Sequence, residues 1–176
     1  GKSWAYLVPA ILSGRRTVVA TATKALQDQL ATKDLPFLSE HLGHPFEFSV
    51  LKGRSNYVCR QRLHEIDSSG QLALDGLAQR ASPTELTALA DWAEGSATGD
   101  RAELATEPSG PAWAAVSVSA QECPGARRCP MGETCFAEAA RRRAGEVDVV
   151  VVNQHLLGLD LATGGSVLPE HQLVIV

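Results

Sequence analysis

Four cysteines are the residues of this chain whose type and spacing point most directly to chemistry. They are all the cysteines it has, and they stand at Cys59, Cys123, Cys129 and Cys135. Five residues separate each neighbouring pair of the last three, with proline and glycine in both gaps, and the first cysteine lies far upstream. Thiolates are soft ligands that suit zinc or iron–sulfur clusters. The set therefore predicts a metal-type site whose ligands come from loops.

The spacing alone leaves the kind of site open. Structural zinc sites usually pair cysteines two to four residues apart, whereas longer loops can wrap a body larger than one ion. The alternatives are an iron–sulfur cluster, a zinc ion, and disulfides or free thiols. Burial as a small hydrophobe would explain any single cysteine but not the set. In the cytosol thiols stay reduced, which favours metal over disulfides.

A second signal stands at the start of the chain, where Gly1, Lys2 and Ser3 match the last three positions of a phosphate-binding loop. In such a loop, backbone N–H groups wrap the phosphates at a helix N-terminus. The lysine reaches the outer phosphates and the serine hydroxyl holds Mg²⁺. The glycines that open the motif do not precede these residues here, so a plain helix start with a serine cap is the alternative.

The end of the chain bears on the same nucleotide site. Residues 173–176 have the apolar character of the strand that precedes an acidic Mg²⁺ motif in such enzymes. No acid follows them, so we expect the chain to stop just short of that motif, and its catalytic residues stay unassigned.

Composition limits the class of protein. The chain has 176 residues, 44% hydrophobic residues and a net charge of −4, which excludes a disordered chain and a uniformly basic nucleic-acid binder. A basic strip nevertheless precedes and follows the first cysteine. No signal peptide is visible and the longest apolar run is too short to cross a bilayer. We therefore expect a soluble cytoplasmic protein that contacts no membrane.

Periodicity predicts a parallel α/β sheet at both ends of the chain. The predicted helices are residues 4–12, with a kink or early end at Pro9, 24–30, 82–94 and 136–144; the predicted strands are 17–22, 46–51, 147–152 and 173–176. The order of helix and strand suits crossover connections. Ser82 and Glu85 predict a capping box, and residues 95–111 a loop. The predicted domains are residues 1–51, an insertion at 52–146, and 147–176, which continues the first.

Both motif sets together resemble one family. The matching residues are Gly1 to Ser3 with the helix that follows, residues 18–30 (VVATATKALQDQL), residues 52–59 (KGRSNYVC), the three later cysteines, and residues 148–157 (DVVVVNQHLL). These segments resemble the iron–sulfur superfamily 2 DNA helicases of the DinG/XPD-like group, and the bacterial DinG-like branch most closely. The resemblance covers nearly the whole chain.

The resemblance implies a fold, a function and cofactors. It implies part of a P-loop, RecA-like first motor domain with a mostly helical insertion, in which the four cysteines bind a [4Fe–4S] cluster. It implies ATP and Mg²⁺ at Gly1, Lys2 and Ser3, movement 5′→3′ along single-stranded DNA, and unwinding of forked duplexes in DNA repair or replication. A monomer in the bacterial cytoplasm, associated with the nucleoid, is expected. Without the second motor domain the chain by itself is expected to be inactive.

Several side chains have two interpretations each. Thr23 could contact a DNA phosphate or cap the helix that follows it. Lys52, Arg54 and Arg60 could follow a DNA backbone or form a solvated strip. Tyr57 could stack on a base, although packing against the cluster is favoured.

Two other functional classes compete with the helicase. One is a non-catalytic zinc-binding module for nucleic acid, in which the Gly-Lys-Ser match is accidental. The other is an iron–sulfur nuclease, which needs clustered Asp, Glu and Lys on adjacent strands. The strands predicted at 17–22 and 147–152 carry no such set.

Overall fold

The computed structural model describes residues 2–69 and 81–176. They divide into two compact units, Gly1–Lys52 with Ala140–Val176, and Gly53–Ala139. The helices and strands are α1 (Lys2–Leu12), β1 (Thr17–Thr21), α2 (Lys24–Gln29), α3 (Leu35–His41), β2 (Phe48–Val50), α4 (Arg60–Ser69), α5 (Pro83–Gly95), α6 (Gly110–Val116), α7 (Phe136–Glu146), β3 (Val149–Asn153), α8 (Gln154–Ala162) and β4 (Leu173–Ile175).

The first unit is built on a four-stranded parallel sheet with strand order β2-β3-β1-β4. β1 and β3 pair along their whole length, from Thr17 opposite Val149 to Thr21 opposite Asn153. Both strands are runs of β-branched residues, which are typical of a sheet buried on both faces. The predicted α/β class and parallel sheet are therefore confirmed.

Successive residues of β3 belong to different hydrophobic cores, because side chains alternate between the faces of a strand. Val150 belongs to the same core cluster as Leu156 of α8. Val151 belongs to the cluster that contains Leu7 of α1 and Leu35 of α3. Helices thus cover both faces of the sheet, which gives the layered α/β architecture expected for parallel strands.

The helix predicted at residues 24–30 is longer than its pattern indicated. α2 passes through a π-helical turn, Leu30–Asp34, into α3, so the helical path ends only at His41. Pro36 lies at the start of α3, directly after the π-helical turn, where the regular i→i−4 hydrogen-bond pattern is already interrupted. A proline in this position hides the continuity of a helix from a sequence pattern.

Other predicted ends also shift. α1 does not end early at Pro9 but continues to Leu12, and α7 includes Gly145, where we predicted its end. β1 ends at Thr21, one residue before the predicted end. Tertiary packing against the sheet outweighs the local propensities of single proline and glycine residues here.

The second unit contains α4, α5 and α6, together with short 3₁₀ turns at Arg54–Asn56, Arg101–Glu103 and Ala126–Arg128. Trp113 of α6 is 4% exposed, and its indole N–H donates to the carbonyl of Ser55 at 2.8 Å. Tyr57 forms an antiparallel bridge with Asp100. Helix α6 begins at Gly110, inside the segment that we predicted to be a loop, residues 95–111. Through the bridge at Asp100, this loop packs against the segment that leads to the first cysteine.

The predicted capping box does not form. Ser82 stands at the N-cap of α5, but its side chain makes no capping hydrogen bond. The Glu85 carboxylate instead accepts from the backbone N–H and the hydroxyl of Ser109. A longer-range partner thus replaces the local one, and Glu85 joins α5 to the cap of α6.

Within residues 2–69 and 81–176 there is no helix with both the length and the apolar character that crossing a bilayer requires.

Candidate functional site

All four cysteines line a single cavity of about 390 Å³ in the second unit. Each thiol is half-buried, and none forms a disulfide. Cys59 lies directly before α4, and its backbone N–H donates to Val116 at 2.7 Å. Cys135 lies directly before α7. Two chain segments that are distant in sequence therefore bring their thiols to one cavity.

The loop from Cys123 to Cys135 has a tight backbone. The carbonyl of Gly125 accepts from the N–H of Cys129 at 3.1 Å, and the carbonyl of Cys129 accepts from Gly132 at 2.9 Å. A Cβ on Gly132 would lie 2.1 Å from the carbonyl oxygen of Ala126. Glycine is therefore required at this position, because any other residue would collide with the backbone.

The thiols are arranged around a cavity wall. In the part of the chain that the structure describes, no three His, Cys, Asp or Glu side chains form a group that could hold one metal ion. Cysteine thiolates are the usual ligands of iron–sulfur clusters, and four of them line this one cavity. The donor set therefore fits an iron–sulfur cluster.

Burial raises the pKa of the Cys59 thiol. Backbone hydrogen bonds from Arg62 and Gln61 oppose this shift, while the neighbouring thiols of Cys135 and Cys129 reinforce it. Without a metal, Cys59 therefore holds its proton more firmly than a free thiol does. Since a ligating cysteine must be a thiolate, binding of a metal at this position would release that proton.

Two of the predicted DNA contacts point into the second unit. The guanidinium of Arg54 pairs with the Glu138 carboxylate, and the two side chains are only 16% and 19% exposed. The guanidinium of Arg60 lies 4.2 Å from the centre of the Phe136 ring, a cation–π contact. Both partners belong to α7, so these arginines join the flanks of Cys59 to the helix that follows Cys135.

The pKa of Arg54 is raised despite burial, which by itself would lower it. The hydrogen bond to Glu138 and the nearby thiols of Cys123 and Cys135 together outweigh that effect. Arg54 also lines the cysteine cavity. The positive charge of Arg54 therefore interacts electrostatically with the thiols of Cys123 and Cys135.

The predicted nucleotide residues lie at the start of α1. Lys2 is exposed and Ser3 is 8% exposed in the first turn of that helix, while Gly1 lies outside the described residues. The carboxyl ends of β1 and β3 lead into α2 and α8, whose caps are Thr23 and Asn153. In parallel α/β sheets ligands bind at that edge.

The side chains of Thr23 and Asn153 each cap the N-terminus of a helix. The Thr23 hydroxyl accepts from Leu26 N–H at 3.2 Å, and the Asn153 side chain accepts from Leu156 N–H at 2.8 Å. The helix-cap alternative for Thr23 is therefore present in the structure. Lys52 is half-buried at the end of the first unit.

Sequence reasoning missed Glu138, Phe136 and the steric role of Gly132. Phe136 and Glu138 follow Cys135 closely, but no sequence pattern links them to arginines on the far side of the insertion. Of these three residues, only Gly132 could have been noticed in the sequence, because it is one of the glycines and prolines that lie between the last three cysteines.

The parallel sheet with helices on both faces defines the class of the protein as α/β, and it is consistent with part of a RecA-like domain. No protein-family profile matches the chain. Among curated proteins, it is 43% identical over its whole length to the ATP-dependent helicase DinG of Mycobacterium tuberculosis, of which it covers 29%. It is 35% identical over 99% of its length to the ATP-dependent DNA helicase YoaA of Escherichia coli, of which it covers 27%.

A third relative carries a different name. The chain is 30% identical over its whole length to the 3′-5′ exonuclease DinG of Bacillus subtilis, of which it covers 19%. The chain thus spans less than a third of each of these relatives. It is related along its whole length to the DinG-like helicases, and the resemblance seen in its sequence is confirmed.

Proposed function

We propose that this chain is part of an ATP-dependent DNA helicase that carries a [4Fe–4S] cluster on its four cysteines. The whole protein would move 5′→3′ on single-stranded DNA and unwind forked duplexes during DNA repair or replication. It would act as a monomer at the bacterial nucleoid. The observation that carries the proposal is the convergence of all four thiols on one cavity.

The ligands of the cluster would be Cys59, Cys123, Cys129 and Cys135. When bound, the cluster would supply a rigid covalent link between these segments and a centre able to accept one electron. The chain's own residues prepare that site. Pairing of Arg54 with Glu138 and stacking of Arg60 on Phe136 hold the flanks of Cys59 and Cys135 together.

ATP would bind at the N-terminus of α1. There Lys2 would contact the outer phosphates, and the Ser3 hydroxyl would hold Mg²⁺ beside them. Phosphate is favoured at this position because unpaired N–H groups and the positive end of the helix dipole converge on it. The resemblance to helicases implies that an acidic motif and a second motor domain complete the hydrolytic site.

DNA contacts are proposed for Thr23 and Lys52 in the first unit and for Arg54 and Arg60 in the second. Because Arg54 and Arg60 already have partners on α7, we expect them to contribute less to DNA affinity than exposed basic residues do. The adjacent pair Arg127-Arg128 in the cysteine loop is exposed, and it carries charge that a DNA phosphate could reach.

The cluster is tested by purifying the protein without oxygen and measuring iron, zinc and visible absorption. We expect a brown protein with about four irons per chain, as the proposed cluster type requires. Cys59→Ser should lose iron, while Thr134→Ser, a conservative change within the cysteine loop, should keep it. A colourless protein with tightly bound zinc, even when iron is supplied, would support the zinc-binding module instead.

The motor is tested in the full-length protein. Lys2→Ala should abolish ATP hydrolysis that single-stranded DNA stimulates, whereas Lys33→Ala, an exposed lysine on the π-helical turn, should leave it intact. Equal hydrolysis by both variants would remove Lys2 from the nucleotide site.

A further inference from the structure

The ion pair between Arg54 and Glu138 borders the cysteine cavity. Arg54 is part of the cavity wall, and its guanidinium is paired with Glu138, which does not line the cavity. Both side chains are more than four-fifths buried. Charges removed from water act over longer distances than exposed ones, because solvent screens them less.

This ion pair differs from the other charges around the cavity. Arg62, Glu65 and Glu122 also line the wall, and Glu122 is exposed. Among the described residues, none of these three side chains forms an ion pair like the one that joins Arg54 to α7. The positive charge of Arg54 at the cavity wall is therefore paired with a negative charge that does not line the cavity.

The pair as a whole is neutral, but its two charges act on the cavity in opposite directions. A cation near an iron–sulfur cluster favours uptake of an electron, and an anion disfavours it. Removing the carboxylate alone would leave the positive charge of Arg54 uncompensated, whereas removing both charges would leave the net charge beside the cavity unchanged.

We propose that Glu138 is a positioning residue for the cysteine site, which fixes the Arg54 guanidinium at the cavity wall and offsets its charge there. With Glu138 present, the bound cluster would have a lower reduction potential than it would have beside the positive charge of Arg54 alone. This inference rests on the proposed cluster, and it concerns a residue that is not itself a ligand. Glu138→Gln keeps the shape of the side chain and one oxygen acceptor, so Arg54 retains its position while the negative charge is lost.

The test is a potentiometric titration with dithionite, followed by visible absorption and electron paramagnetic resonance, on protein purified without oxygen. The cluster takes up one electron in this titration. Glu138→Gln should shift the reduction equilibrium toward the reduced form by on the order of tenfold, which is about 59 mV for one electron. Glu107→Gln is the matched control, because Glu107 pairs with Arg101 in the same unit but outside the cavity wall.

A potential in Glu138→Gln equal to that of Glu107→Gln, with iron retained, would overturn the inference. The double variant Arg54→Gln with Glu138→Gln should lose the upward shift and have a potential no higher than that of wild type, since the uncompensated positive charge of Arg54 is gone. A double variant that keeps the shift of the single variant would also contradict the inference.

Iron content gives a second measurement in case Glu138→Gln no longer holds the cluster. Glu138→Asp keeps the charge, so iron retained in Glu138→Asp and lost in Glu138→Gln would support positioning by charge. Loss of iron from both variants would show a packing role and overturn the inference. A wild-type protein without iron would refute the proposed cluster itself, which is a different outcome from an unshifted potential in a brown protein.

Discussion

Replacing Gly132 with alanine should disrupt the cysteine loop. The new Cβ would lie 2.1 Å from the carbonyl oxygen of Ala126, while real Cβ contacts almost never fall below 3.0 Å. One of the two backbone segments must therefore move by roughly 1 Å, and overpacking of this kind costs about 1–3 kcal/mol. Because Gly132 is hydrogen-bonded to Cys129 and Cys135 through its N–H and carbonyl, the thiols of these two residues would move with it.

We expect Gly132→Ala to bind iron at well below one cluster per chain and to melt roughly 2–12 °C lower than wild type. Iron analysis of anaerobically purified protein and thermal unfolding measure these effects. Gly110→Ala is the matched control, since a Cβ there meets no atom within 4 Å and alanine favours a helix. If Gly132→Ala equals Gly110→Ala in iron content and melting temperature, the proposed close packing of the loop is wrong.

Three further changes test the caps and loops of the fold by chemical or acid denaturation. Asp160→Ala should destabilise the protein by about 2–5 kcal/mol, because the buried carboxylate accepts two backbone N–H groups at 2.8 Å; a loss below 1 kcal/mol would contradict this. Thr23→Ala should cost about 1 kcal/mol through loss of its cap, and Thr23→Ser should restore it. The pKa of Glu85 is lowered from its usual 4.5 by hydrogen bonds from Ser109, so its stabilising effect is complete above pH 4.5 and disappears as pH falls through the lowered value. Glu85→Gln should therefore flatten the acid side of the stability profile, and an unchanged profile would refute this.

The sheet could be predicted from the sequence because its two central strands, β1 and β3, are rich in β-branched residues. Residues 147–152 form a valine-rich stretch that fits a strand buried on both faces, and the structure places it at the centre of the sheet. The cysteine cavity was also predictable in its membership, because thiols are few and chemically distinctive.

What the sequence could not supply depends on partners distant along the chain. Ser82 and Glu85 match a capping box, yet Glu85 binds Ser109 instead. Arg54 belongs to a basic strip that suggests DNA, yet its guanidinium pairs with Glu138 on α7. A local pattern gives the residue types available for pairing but not the tertiary contact that competes for them.

The strand order has a consequence for the nascent chain. β1 has β3 and β4 as its neighbours, so no earlier strand of the described chain can pair with it, and Thr21 bonds Val152 across 131 positions. At about 5–20 residues per second, synthesis needs roughly 7–26 seconds to deliver that partner. During this interval an apolar β-branched segment has two unpaired edges, which is a hazard for aggregation. Rapid docking of α1, α2 and α3 against β1, or a chaperone, would have to shield it until β3 leaves the ribosome.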